Sequence, residues 1–283
     1  MNGSIAKEEV GMARKEEPAA ARPARPGLLR RLARKARSLA FLAFLLALWQ
    51  YASTTLLDET TRTLLPAPTE VVRAAWELIA SGELLRHLAD SLRREFMAFL
   101  FALVAVPLGI AISWWRPVEE QLDPVMELLR PIPPLAWIPL SILWFGIGDT
   151  QNEFIIFLGI FFPILLNTIA GVKGVENNLI RAARCLGATE WKVLLRVVFR
   201  AALPQIMTGI RIGLGVGWMA LVAAELVGAT SGLGFLINDA RTVLRTDYII
   251  VGMATIGLVG LVIDALLRHL MQAVLPWSKT HTR

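Results

Sequence analysis

Six stretches about as long as a bilayer is thick constrain this chain more than any other feature of it. A hydrocarbon core of about 30 Å needs roughly 20 residues of apolar helix. Residues 38–54, 96–115, 154–172, 201–228 and 249–270 each supply such a run. A sixth, 123–148, has the length but is interrupted by Pro124, Pro131, Pro133, Pro134 and Pro139. Backbone polar groups find no water in lipid, so runs of this kind fold as helices. The expected class is an all-α polytopic membrane protein with six membrane helices, and no strand alternation of the membrane-barrel type is present.

Composition fits that class. Of the residues, 55% are hydrophobic and 18% charged, and the mean hydropathy is +0.55. A net charge of +6 would suit nucleic acid, but the basic residues flank apolar runs, where they set membrane orientation instead. Membrane lipid is the expected neighbour, and nucleic acid is not. Residues 173–200 carry six bases against two acids, while 55–95 carry five against seven. This asymmetry places 173–200 and both chain ends in the cytoplasm. Residues 1–36 read as a flexible basic tail, with 27–37 able to form an amphipathic helix on anionic lipid, and 276–283 as a second tail. Residues 56–94 read as two short amphipathic helices outside the bilayer, the first capped by Thr69, and residues 229–248 read as a loop before the last span. One cysteine, Cys185, excludes an internal disulfide. His87, His269 and His281 are scattered and read as solvated, so neither a metal site nor an enzyme is expected.

The basic segment 176–204 lies between two apolar runs. Leu179, Ala182, Ala183 and Leu186 recur at helical spacing and form a stripe that is either a docking face or a core face. Gly187 suits a helix end with positive φ, and Thr189 with Glu190 can start the next helix, which carries Trp191, Leu194, Leu195 and Val198. The expected shape is helix, sharp turn, helix, which by itself fits an inert surface loop as well as a contact site.

Prolines in 123–148 remove backbone donors, so this span should be kinked or partly unwound. Broken helices at membrane depth line cavities or serve packing alone, and Pro133, Pro134 and Trp137 are the candidates for a solute path. Gly209, Gly213 and Gly217 stand four residues apart and predict close helix packing, within or between subunits. Arg211, Trp218 and Glu225 share that helix and join Pro133, Pro134 and Trp137 as candidates for the solute path. A charge within a span is a functional candidate, although snorkelling or a buried ion pair also accounts for it.

The stretch RAARCLG at 181–187, continuing through VVFRAALP, resembles the cytoplasmic "EAA" loop of ABC importer permease subunits. The family pattern is E-A-A-x-x-x-G, nine residues, then I-x-L-P. Ala182, Ala183 and Gly187 match and Val197 takes the isoleucine position. Phe199 replaces the leucine, Arg200 stands where proline is expected, Leu203-Pro204 follow four residues later, and Arg181 replaces the acid. Residues 130–150 and 208–226 look like the taurine, sulfonate and nitrate branch, nearest its taurine type.

That resemblance implies a type I importer fold in which Leu179, Arg181, Ala182, Ala183, Leu186, Gly187 and Ala188 dock on an ATPase. It also implies a second copy of this chain, two ATPase subunits, a periplasmic solute-binding protein and a place in the bacterial inner membrane. No G-x-x-x-x-G-K-[ST] loop occurs, so this chain is not expected to hydrolyse ATP or to bind a cofactor, and the resemblance implies that ATP and Mg belong to the partner. Taurine or another alkanesulfonate leads as solute, with nitrate, bicarbonate or a vitamin precursor as alternatives. A secondary transporter or channel without an ATPase is the reading from another class.

Overall fold

The computed structural model describes residues 28–275 and divides into two units at Leu48/Trp49. Residues 1–27 and 276–283, read from sequence as parts of tails, lie outside the described residues. The first unit consists of α1, Leu28–Tyr51, up to Leu48. The basic stretch and the apolar run form one uninterrupted helix there, where the sequence suggested a break near residue 37. No helix breaker separates them, so the helix propagates through the change in polarity.

The second unit begins within α1, which closes in a π turn, Ala52–Leu56. There follow α2 (Glu59–Leu64), α3 (Pro68–Ala80), α4 (Glu83–Ala102), α5 (Ala105–Trp114) and α6 (Arg116–Leu129). A 3-10 turn, Pro134–Trp137, leads into α7 (Ile138–Phe145), and α8 is Asp149–Lys173. Next come α9 (Asn177–Cys185), α10 (Glu190–Val193), a π turn (Leu194–Val198), α11 (Phe199–Gly228), α12 (Leu233–Thr242) and α13 (Thr246–Val274). No strand occurs among the described residues.

Four helical stretches are long and apolar enough to cross a membrane: Glu83–Trp114, Asp149–Lys173, Glu190–Gly228 and Thr246–Val274. The pair Arg116–Leu129 and Pro134–Phe145 makes a fifth if it counts as one span bent by 85°, and Ala40–Leu56 is a shorter apolar helix. The bend is where the prolines predict it: Pro131, Pro133 and Pro134 withhold three consecutive-turn donors and crowd the carbonyls before them.

Three local expectations need correction. The α3 cap is Ala67, with Pro68 in the first turn and the Glu70 carboxylate accepting from the Ala67 N–H at 3.0 Å. Thr69 is already inside the helix. Proline at a helix start loses no bond, because that N–H has no intrahelical acceptor. Residues 83–94 are not a separate outside helix but the first turns of α4. Finally, the loop expected at 229–248 contains α12. It closes in a Schellman motif, with Arg245 N–H on the Ala240 carbonyl and Leu244 at φ 58° in the position glycine usually takes.

The core is built on the antiparallel pair α8 and α11. Ile156, Ile160, Ile164 and Leu165 meet Leu214, Trp218 and Leu221, with Ala98, Ala102 and Ala105 closing the side. Apolar burial drives little between helices already in lipid, so close van der Waals fit must hold them. The glycine stripe supplies it within this chain. A Cβ at Gly209 would lie 2.6 Å from the Asn167 Cβ and 3.1 Å from the Pro163 carbonyl oxygen, and one at Gly213 would lie 2.9 Å from the Ile160 carbonyl oxygen. One at Gly217 would lie 2.4 Å from Ile160 Cγ1. At Gly209 the backbone is close as well, so Gly209→Ala should cost about 1–3 kcal/mol of overpacking. Gly257→Ala, with open space beside it, should change stability by less than about 1 kcal/mol. Unfolding of the two variants in detergent against SDS checks the contrast; equal midpoints would refute the packing role.

Candidate functional site

The segment between α8 and α11 folds as the sequence suggests. At the end of α9 the Ala188 N–H bonds the Ala183 carbonyl at 3.1 Å and the Gly187 N–H bonds the Arg184 carbonyl at 2.9 Å, a Schellman motif with Gly187 at φ 79°. Arg184 donates twice to the Glu190 carboxylate, at 2.8 and 2.9 Å, and so staples the two arms across the turn. Thr189 occupies the N-cap of α10 without a side-chain cap bond.

The apolar stripe divides between inside and outside. Ile180, Ala183 and Ala188 pack on a small core of Val172, Val193, Leu194, Val198, Ala202 and Ile206. Leu179, Arg181, Ala182 and Gly187 are exposed, and Leu186 presents 88% of its surface at the tip. In the second arm Leu194 and Val198 point in, while Trp191 and Leu195 point out. The hairpin is therefore a small, internally packed knob with Leu186 at its apex and Leu179 on its flank. Arg200 is also exposed.

Near the other end of α8 and α11 lies a charged cluster that the sequence did not announce. Arg94 of α4 is 1% exposed. Its Nη1 donates to Glu225 Oε1 at 2.7 Å and to the Ser231 carbonyl at 2.7 Å, its Nε to Asp149 Oδ1 at 2.7 Å, and its Nη2 to Ser231 Oγ at 2.9 Å. Arg93 also pairs with Asp149. The Glu225 carboxylate accepts from Ser91 Oγ at 2.8 and 2.9 Å and from the Gly234 N–H at 2.9 Å. The Gly232 N–H bonds His87 Nδ1 at 3.0 Å, and the Leu233 N–H bonds Ser91 Oγ at 2.9 Å. Four elements, α4, α8, α11 and the start of α12, are tied at one point. Gly232 is required there, since a Cβ would sit 2.3 Å from Glu225 Oε1. Glu95, next along α4, is buried too, and its Oε1 lies 2.9 Å from where a Gly217 Cβ would be.

The structure separates the residues grouped as a solute path. Glu225 belongs to the Arg94 cluster. Trp218 is buried and donates to the Ile256 carbonyl at 3.2 Å. Arg211 is half-exposed and pairs with Asp264 at 2.7 Å, which Arg268 also reaches at 3.1 Å. Pro133 and Pro134 begin the second half of the broken span, and Trp137 packs on Phe154 and Trp144. His87, read as solvated, is buried and accepts a backbone bond; His269 is exposed, and His281 lies outside the described residues.

Residues 91–278 match a family model described as the binding-protein-dependent transport system inner membrane component. The chain belongs to that family. Among its relatives, a putative ABC transporter permease protein, MJ0413 of Methanocaldococcus jannaschii, is 48% identical over 71% of this chain and 76% of its own. The taurine transport system permease protein TauC of Escherichia coli K12 is 43% identical over 85% of this chain and 89% of its own. The inward-facing MetNI methionine ABC transporter shares the fold at 19% identity, with a TM-score of 0.58 over 77% of this chain and 99% of that one. This protein is an ABC importer permease subunit of the binding-protein-dependent kind, multi-pass in the inner membrane.

The permease thus carries one hairpin whose shape the sequence predicted and one charged cluster that it missed. Arg94 and Glu225 are 131 residues apart, and Arg94 and Asp149 55 apart. The available signal was Glu225, a carboxylate in an apolar helix that needed a buried cation.

Proposed function

We propose that this permease carries taurine or another alkanesulfonate, and that its hairpin is where a separate ATPase subunit delivers work. The observation that carries the second part is the packed knob with Leu186 and Leu179 exposed on a segment rich in base. An aliphatic tip on a rigid base suits insertion into a groove, and the chain has no phosphate loop of its own. ATP and Mg would be bound by that partner, and this chain would bind no cofactor. Two copies of the permease, two ATPase subunits and a periplasmic solute-binding protein complete the assembly in this reading, with both termini and the hairpin cytoplasmic. Closure of the ATPase pair would draw the two hairpins together and rock the spans between inward-open and outward-open states.

The taurine assignment draws on the similarity to the TauC protein and on the residues at 130–150 and 208–226. Along the path, the half-exposed Arg211 beside Arg268 suits an anion. Pro133, Pro134 and Trp137, at the bend, suit a moving half-span. Trp218 and Glu225 bind their own neighbours and hold the helix in place. Ala183 and Ala188 face inward and support the hairpin, while Leu179, Arg181, Ala182, Leu186 and Gly187 remain the contact group.

The test is reconstitution of the permease with its ATPase and binding protein in liposomes, with labelled taurine, ethanesulfonate and nitrate outside. Uptake of the sulfonates should require ATP inside and the binding protein outside. Uptake driven by an ion gradient alone would refute the coupling, and uptake of nitrate in place of sulfonate would refute the solute.

A further inference from the structure

A cavity of about 490 Å³ opens between α4, α7 and the first turns of α8, and it has no part in the reading above. Phe101, Val104, Phe145 and Phe157 form its apolar sides, and Thr150 and Glu153 stand at one end. Polarity changes along its length in one direction. From Thr150 to Phe157 the helix rises about 10 Å, and over that distance the lining passes from hydroxyl and carboxylate to aromatic rings. Phe101, Val104 and Phe145 are themselves exposed, so the cavity is open on the side where the span faces its surroundings.

The charge at the polar end is also one-sided. Asp149 is taken by Arg93 and Arg94, and Arg94 is committed further to Glu225 and Ser231. Glu153, one turn beyond Asp149, forms no ion pair among the described residues. Arg93 and Arg94 attract Glu153 without pairing with it, and against these two cations stand three carboxylates, Asp149, Glu225 and Glu153, so the rim keeps one negative charge in excess. A sulfonate or nitrate would be repelled there, and neither would fill an aromatic slot of this length.

We propose that this groove is a binding site for a membrane phospholipid with a primary-ammonium headgroup, a phosphatidylethanolamine. Its ammonium lies against Glu153 and Thr150, and an acyl chain lies along Phe101, Phe145 and Phe157. The graded lining matches the order of groups in such a lipid, headgroup at the Asp149 end and hydrocarbon deeper. A primary ammonium donates charge-assisted hydrogen bonds to a carboxylate, which a quaternary one cannot do. The inference is independent of the solute and of the ATPase contact.

The experiment places the purified permease in nanodiscs of equal phosphatidylethanolamine, phosphatidylcholine and phosphatidylglycerol. The protein is then extracted in mild detergent, and the lipids that stay with it are counted by native mass spectrometry. Wild type should retain phosphatidylethanolamine at least roughly ten-fold over phosphatidylcholine, the selectivity of one charge-assisted hydrogen bond. Glu153→Gln should bring the two to near parity while total retained lipid stays unchanged. Val104→Trp, which fills the slot, should lower all retained lipid, with its melting curve reporting that the fold is intact. Enrichment of phosphatidylcholine or phosphatidylglycerol in wild type would overturn the proposal. So would selectivity that survives Glu153→Gln, or the absence of any retained lipid, which would mean that protein fills the groove.

Discussion

Arg94→Met is expected to destabilise the permease by about 3–5 kcal/mol, the largest effect of any single substitution in the membrane region. The methionine has similar length and would fill much of the space, so the loss comes from charge. Glu225, 1% exposed, would keep Ser91 and the Gly234 N–H but lose the cation that offsets it. Asp149 would keep Arg93 alone. Loss of the Ser231 contacts would free the segment between α11 and α12. The double variant Arg94→Met with Glu225→Gln should recover part of the stability, because an uncharged pair of similar volume removes the orphaned carboxylate. SDS-driven unfolding of the four proteins in the cycle, followed by tryptophan fluorescence, gives the coupling. Additive losses would show that Arg94 and Glu225 act independently and that the cluster is not one unit.

Leu186→Asp should act in the opposite manner, leaving the fold intact and removing the partner contact. The side chain is 88% exposed, so the melting curve of the permease alone should not move. Burying a leucine in a partner groove is worth about 2 kcal/mol, and a charge left in its place costs more. Affinity for the ATPase subunit should fall at least roughly 30-fold, and solute-stimulated ATP hydrolysis should fall with it. Ala183→Leu makes the contrast, since Ala183 faces the core beneath the hairpin and its enlargement should lower the melting temperature as well. Normal ATPase binding by Leu186→Asp would remove the hairpin tip from the interface.

What could be read in advance was local. Gly187 followed a periodic apolar stripe and preceded a capping residue, so the turn could be placed to the residue. The clustered prolines before Trp137 gave the bend, and the four-residue spacing of Gly209, Gly213 and Gly217 gave a packing stripe, although its partner, α8, was not identifiable. The sidedness of the hairpin stripe was not legible either. Leu179, Ala182, Ala183 and Leu186 form one stripe by pattern, yet of these only Ala183, with Ile180 beside it, meets the core. The Arg94 cluster was hidden for a different reason. The run Arg93-Arg94-Glu95 reads as the end of an exposed helix, because a buried cation is stable only through acids that arrive from other helices, and no local pattern reveals these. For the same reason His87 looked solvated.

The length of the stretch Glu190–Gly228 has a further consequence. Its 39 residues make a rod of about 58 Å, nearly twice the hydrocarbon thickness of a bilayer. One end is the second arm of the hairpin, and the other is fixed by Glu225 in the Arg94 cluster and by the Gly228 carbonyl, which accepts from the Gly148 N–H and from Asn152. Between them lie the π turn at Leu194–Val198 and, a little further on, Pro204 inside α11, which withholds a backbone donor. All the slack of such a lever is gathered at its hairpin end. A push at Leu186 is either absorbed between Leu194 and Pro204 or arrives at the far side of the membrane as a tilt of α11 about its clamped end.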